Sequence, residues 1–188
     1  MAMRMRTGVT ACALAAFVAA GGCNSTGGAK VSPGASPDRD ERMLGALKQL
    51  EGEWEMADEN GQAQLACVYK VSSAGSVVRE IMFPGHPHEM TNLYHMDGGK
   101  LVVTHYCAAG NFPRMAASGV ERSAEGDVLD FRFDGVSNLR EEHEGYMGGL
   151  TLTIHDANHI RQDWTHFDRE GVAAGEKAVF DLHRRASH

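Results

Sequence analysis

The sequence lacks the features that mark several large classes of protein. Its 188 residues include 5 prolines and 4 cysteines, and they contain no phosphate-binding Gly-rich loop, zinc-protease helix or nucleophile elbow. The 18 basic residues form no cluster and are outnumbered by 25 acidic ones, which argues against nucleic acid as a partner. What remains is an ordinary globular composition, with 43% hydrophobic residues and 22 glycines. The chain is long enough for one domain with its own core.

A short apolar run occupies the N-terminus. It spans residues 9–20, follows Arg4 and Arg6, and ends in small residues just before Cys23. This order predicts a signal peptide over residues 1–22. Small residues directly before a cysteine resemble the lipobox of bacterial lipoproteins, in which that cysteine carries the lipid. We therefore expect a membrane anchor in the bacterial cell envelope, with the protein facing the periplasm or the surface. The alternative is cleavage that releases a soluble protein.

The residues after the signal peptide change in character twice. Residues 23–35 are small and polar, which predicts a lipidated flexible tether. A domain over residues 36–188 follows, and Ser36-Pro37 before acidic residues predicts the start of one short helix. Of the four cysteines, Cys67 and Cys107 lie in this domain on the predicted inner face, where two buried thiols are the expectation and a disulfide is the alternative.

Strand-like segments separated by turn signals fill the rest of the domain. They are Glu53–Met56, Leu65–Val71, Val77–Phe83, Glu89–Met96, Leu101–Cys107, Met115–Val120, Val128–Phe133, Gly149–His155, Ile160–Phe167 and Lys177–His183. Short strands in series, with no second long helix, predict an all-β fold. The expected architecture is a single antiparallel up-and-down β-barrel of about ten strands, preceded by one short N-terminal helix.

Turn lengths predict which side chains point into this barrel, because a slip of one residue exchanges the two faces of a strand. We expect a three-residue loop at residues 73–75, a two-residue turn at Gly98-Gly99 and a three-residue loop at residues 156–158. The first of these loops places Arg79 inside; with a slip of one residue Glu80 takes that position. The inward set then includes Leu129, Phe131, Phe133 and the polar or aromatic residues Arg79, Asn92, Tyr94, His105, Gln162, Trp164 and His166.

Polar groups within an apolar inner face are typical of a small-molecule site. They predict a cavity for a small hydrophobic or amphipathic ligand, and an inward Arg79 favours an anionic one. Arg114, at a strand start near the rim, is a candidate second contact for an anion. The candidate ligand-binding residues are Arg79, Asn92, Tyr94, His105, Arg114, Gln162, Trp164 and His166. The alternative is a closed hydrogen-bond network that completes the core.

Two motifs resemble known families. The Gly-x-Trp of residues 52–54 resembles the opening of the calycin barrels, which are the lipocalins, fatty-acid-binding proteins and nitrobindins. Residues 94–101 and 104–115 resemble a motif of uncharacterised bacterial secreted proteins and lipoproteins. The resemblance implies a calycin-like β-barrel domain that encloses a small apolar or amphipathic ligand. The nitrobindin likeness also implies haem held by a histidine near the C-terminus; His183 is the nearest candidate, but the predicted register points it outward.

Other functions remain open at this point. An enzyme could use His105 as its acid or base, with Tyr94 or Asn92 as electrostatic support. A filled barrel could serve as a structural or partner-binding lipoprotein. His86-Pro87-His88 has the residue types of a metal site, but its prolines and glycine predict a polar loop and no third ligand is fixed by spacing. We therefore expect neither a metal site nor a cofactor.

Overall fold

The computed structural model describes Gly34 and residues 36–141 and 145–186. The predicted signal peptide, Cys23 and the predicted tether apart from Gly34 lie outside this part. The elements of the described part are α1 Pro37–Lys48, β1 Gly52–Ala57, β2 Ala63–Ser72, β3 Val77–Met82, β4 Met90–Asp97, β5 Lys100–Tyr106, β6 Phe112–Ala117, β7 Glu121–Ser123, β8 Gly126–Ser137, β9 Gly145–Asp156, β10 His159–Asp168 and β11 Ala178–Arg184. No helix within the described ranges has the length and apolar character needed to cross a membrane.

Ten of the strands close into an antiparallel barrel. From β1 to β6 each strand pairs with the next, β6 pairs with β8, and β8 to β11 continue in order until β11 returns to β1. The short strand β7 pairs with β8 outside this ring. The predicted up-and-down barrel and its single preceding helix are therefore confirmed. Strand β7 is not among the predicted strands, because its three residues are all exposed and show no apolar alternation.

Helix α1 covers one end of the barrel. Its apolar stripe of Met43, Leu44 and Leu47 is buried, and the helix contacts β3, β4 and β5. At its N-terminus the Ser36 carbonyl accepts hydrogen bonds from two backbone N–H groups, while its side chain makes no capping bond.

The barrel has two ends, and we call the end near α1 the closed end. The opposite end, where β3 ends and β4 begins, is called the mouth.

Strand β3 departs from the expected register. Ser72 pairs with Val77, so four residues rather than three connect β2 and β3. Ser73 and Ala74 adopt left-handed φ values of 51° and 53°, a conformation that their residue types do not signal. As a result Arg79 is exposed and Glu80 is completely buried, with 0% of its surface accessible. The expectation that Arg79 points inward is wrong.

The other two turns have the expected registers. Asp97 pairs with Lys100 around the two glycines, and Ile160 pairs with Ile154 across the β9–β10 hairpin.

The prediction that Phe133 of β8 points into the barrel is wrong, because this residue is 40% exposed. Its ring packs instead against Tyr146 and Phe167, with centroids 5.1 and 6.0 Å away.

Gly45, in the interior of α1, offers a stability test of the helix. A Cβ built at Gly45 meets no atom within 4 Å. Gly45→Ala should therefore raise the free energy of unfolding by about 0.5–1 kcal/mol, since alanine loses less conformational entropy in a helix. The same substitution at Gly61, equally open but at φ 75°, should lower it by about 1 kcal/mol. Urea denaturation measures both, and equal effects at the two glycines would contradict the assigned conformations.

Candidate functional site

A layer of buried polar side chains crosses four neighbouring strands. Tyr69 of β2 pairs with Glu80 of β3, Glu80 pairs with Asn92 of β4, and Asn92 pairs with His105 of β5. Directly paired residues on antiparallel strands point to the same face. All four are at most 2% exposed, and Gln162 of β10 reaches them with 0% exposure. We call these five residues the polar layer.

Glu80 is the centre of this layer. Its Oε2 accepts hydrogen bonds from Asn92 Nδ2 and Tyr94 OH, each at 2.7 Å, and its Oε1 accepts one from Gln162 Nε2 at 2.6 Å. These donors are all uncharged, and no Lys or Arg of the described ranges forms an ion pair with Glu80. Both Glu80 oxygens are therefore satisfied by hydrogen bonds from uncharged groups.

The carboxylate changes the titration of its neighbours. Burial, followed by the charge of Glu80, raises the pKa of the Cys67 thiol and of the Tyr69 and Tyr94 hydroxyls well above their usual values. These groups therefore stay protonated at neutral pH. Cys67 and Cys107 are both free cysteines; Cys67 is buried, as expected, whereas Cys107 is only half-buried, so its predicted burial is wrong.

His105 is held in one tautomer by the same network. Its Nδ1 lies 2.7 Å from Asn92 Oδ1. Because the Asn92 amide nitrogen donates to Glu80, the amide oxygen must accept, so the proton is assigned to Nδ1 of the imidazole. Burial lowers the pKa of His105 from 6.5 to about 4. At neutral pH the ring is uncharged, and its Nε2 carries a lone pair with no hydrogen bond from any described residue.

Trp164 completes the far side of the layer. Its Nε1 donates to Gln162 Oε1 at 2.9 Å, and the amide nitrogen of Gln162 also donates to Tyr69 OH at 2.7 Å. The Trp164 ring lies 5.1 Å from the His105 ring, measured between centroids. Both ends of the Gln162 amide are thus occupied, which orients it toward Glu80.

Partly exposed apolar side chains surround the mouth, one layer beyond the polar one. Met82 and Met90, the pair next to Glu80 and Asn92, begin this outer layer. The half-buried members, which we call the mouth ring, are Met56, Phe83, Met90, Met147, Ala178 and Phe180. The Phe83 and Phe180 rings meet edge to face at 5.6 Å. The site therefore combines an apolar rim with a polar floor.

The space beside Glu80 is almost filled. A gap lined by Cys67, Met82, Phe180 and Leu182 reaches Glu80 and Gln162, with about 160 Å³ of unfilled space. No part of this gap is wide enough for a water molecule. The sequence left two alternatives for the inner polar residues, a ligand cavity or a closed hydrogen-bond network. Beside Glu80 these residues form the connected hydrogen-bond network.

The structure brings together five of the eight predicted ligand-binding residues: Asn92, Tyr94, His105, Gln162 and Trp164. His166 lies farther along β10 toward the mouth, half-buried, with its ring so close to Gly145 that a Cβ there would come within 2.6 Å. Arg79 is exposed. Arg114 is outside the layer, and its guanidinium bonds Asp97 at 2.5 Å and Asp134 at 2.7 Å. Ligand contact by any of these residues stays a prediction.

Glu80 and Tyr69 are the members of the site that the sequence analysis did not propose as ligand contacts. The signal for Glu80 was its place beside Arg79, since either residue could face inward. Comparison with known proteins adds no further residue, because the chain matches no protein-family model and no curated protein. The ten-stranded barrel with one helix is consistent with a calycin-like fold.

Proposed function

We propose that this protein is a calycin-like envelope lipoprotein that binds a small amphipathic molecule at the mouth of its barrel. The observation that carries this proposal is the buried carboxylate of Glu80, held by uncharged donors below a ring of partly exposed apolar side chains. A buried polar layer is costly, and a few polar groups facing an apolar opening are the usual profile of a small-molecule site.

The chemistry of the floor selects the ligand. The Glu80 oxygens are hydrogen-bond acceptors and the neutral His105 offers a lone pair at Nε2, so the floor favours a ligand that donates a hydrogen bond. The exposed Arg79 no longer supports an anionic ligand. We therefore propose an apolar body with a hydrogen-bond donor group.

Binding can be tested with N-phenylnaphthylamine, an apolar fluorophore that has one N–H donor and brightens in apolar surroundings. Met90→Trp fills the mouth ring, so the affinity for this probe should fall at least about tenfold. Met96→Trp is the matched control, because Met96 is a half-buried, core-packed residue on the same strand at the closed end. A fluorescence titration of the wild type and both variants gives the three dissociation constants.

Circular dichroism should first establish that both variants keep the strand content of the wild type. Equal affinities of Met90→Trp and the wild type would contradict binding at the mouth. Loss of binding in Met96→Trp alone would place the probe at the closed end instead.

Catalysis by His105 has less support than binding. A general base works best when its pKa lies near the operating pH, whereas burial lowers the pKa of His105 to about 4. Such a ring is a weak base at neutral pH but a good hydrogen-bond acceptor at Nε2. The arrangement therefore favours a positioning contact over proton transfer.

The anchor is tested at Cys23. We expect the wild-type protein, expressed in a Gram-negative host, to sediment with membranes and to partition into detergent, because a lipidated N-terminus carries acyl chains. Cys23→Ser should move it to the aqueous fraction, while Cys12→Ser, within the predicted signal peptide, should leave its fractionation unchanged. Membrane sedimentation of Cys23→Ser equal to the wild type would contradict lipidation at this residue.

A further inference from the structure

Two histidines and one aspartate form a cluster on the outer face of the barrel, away from the mouth ring and the polar layer. His159 of β10 and His183 of β11 are direct cross-strand partners. Asp181 lies two residues before His183, and alternate residues of a strand share a face. The three side chains are half-buried or exposed, so solvent can reach them.

Their ligand atoms converge. Asp181 Oδ1 lies 3.1 Å from His159 Nε2 and 3.2 Å from His183 Nε2, and all three atoms lie within 4.8 Å of one another. Bonds of about 2.0–2.1 Å to a tetrahedral ion separate neighbouring ligand atoms by about 3.3 Å. The two measured separations are close to this value without any movement of the backbone.

The imidazoles need one adjustment to share an ion. The rings of His159 and His183 are stacked at 4.5 Å with an angle of only 13° between their planes, so their lone pairs lie in two separate, nearly parallel planes. One ring must turn to converge on a common point. The His183 side chain is 61% exposed, which leaves it room to rotate. The His159 ring is supported on its other face by His155, stacked at 4.3 Å, whose Nδ1 is bonded to the Glu125 carbonyl at 2.7 Å.

The surrounding charges do not oppose a cation. Arg161, the cross-strand partner of Asp181, directs its guanidinium to Asp163 through two hydrogen bonds of 2.9 Å. The Asp181 carboxylate thus keeps its interaction with the two imidazoles. Two imidazoles and one carboxylate suit zinc-like divalent ions, whereas magnesium and calcium prefer oxygen ligands alone.

We propose that His159, Asp181 and His183 form a surface site for one divalent transition-metal ion, with Zn²⁺ as its representative. The ion would join β10 to β11 and keep at least one coordination position open to solvent, as sites with three protein ligands do. The proposal is independent of ligand binding at the mouth, because it uses none of the same residues.

The test is isothermal titration of ZnCl₂ into the purified protein, without a histidine tag, in a non-chelating buffer at neutral pH. The wild type should show one saturable site, and His159→Ala, His183→Ala and Asp181→Asn should each weaken it at least about tenfold. His86→Ala is the matched control, because His86 and His88 form another close imidazole pair, 5.6 Å apart, on an exposed loop. This control should leave the affinity unchanged.

A thermal melt adds a second readout. Zn²⁺ should raise the Tm of the wild type, since an ion bound only to the folded state stabilises it, and this rise should be absent in His183→Ala. The proposal is overturned by a wild type without saturable binding, by variants that bind as tightly as the wild type, or by loss of binding in His86→Ala alone.

Discussion

Glu80→Ala is expected to lower the free energy of unfolding by about 3–5 kcal/mol, whereas Arg79→Ala should change it by less than about 0.5 kcal/mol. Glu80 is buried at the centre of the polar layer, and its removal leaves the donors of Asn92, Tyr94 and Gln162 without their acceptor. Arg79 is exposed on the other face of the same strand. Urea denaturation of the two variants and the wild type gives both differences.

Comparing Arg79→Ala with Glu80→Ala is a stringent test of the register of β3, because the two possible registers predict opposite effects on stability. With a three-residue loop between β2 and β3, Arg79 would be inside and its replacement would be the damaging one. A larger loss in Arg79→Ala than in Glu80→Ala would therefore contradict the pairing of Ser72 with Val77. Arg132→Ala, another exposed strand arginine, gives the baseline for a surface substitution.

Protonation of His105 should lower the free energy of unfolding of the wild-type protein by about 3 kcal/mol as the pH falls from neutral to below about 4. The folded state holds the pKa of His105 at about 4, below the ordinary value of 6.5. Between these two pH values the unfolded state binds more protons than the folded state, so acid favours unfolding. The contribution is fully present above pH 6.5 and is lost as the pH falls toward 4.

His105→Gln isolates this effect from the titration of the carboxylates. A glutamine amide can still donate to Asn92 Oδ1, but it does not titrate. Unfolding curves measured in urea at several pH values should show that the wild type loses about 3 kcal/mol more stability than the variant as the pH falls from neutral to below about 4. Curves that stay parallel from neutral pH to pH 4 would contradict the buried, uncharged state of His105.

Strand order and much of the inner face could be predicted from the sequence because short turns determine register. Gly98-Gly99 permits a two-residue turn, and this places Asn92 opposite His105 and Tyr94 opposite Val103. Apolar alternation likewise aligns Leu150 and Leu152 with Trp164 and Gln162. These two hairpins supply all three predicted ligand-binding residues of the polar layer, Asn92, His105 and Gln162.

The centre of the site could not be predicted in the same way. Its register depends on Ser73 and Ala74, which adopt a left-handed conformation that nothing in their residue type indicates. A loop length inferred from residue types therefore predicts an inward Arg79, whereas the structure buries Glu80. The histidine cluster was missed for another reason: His159 and His183 meet only because β10 and β11 pair, and spacing along the chain does not show that contact.

Native mass spectrometry of the purified protein tests the central claim, that the mouth holds a small molecule, most directly. We expect a native mass that exceeds the denatured mass by one bound molecule, either retained from the host or supplied as N-phenylnaphthylamine. Occupancy should fall in Met90→Trp and stay unchanged in Met96→Trp. A native mass that equals the denatured mass, and remains equal with the probe in excess, would contradict ligand binding and leave the barrel as a filled structural unit.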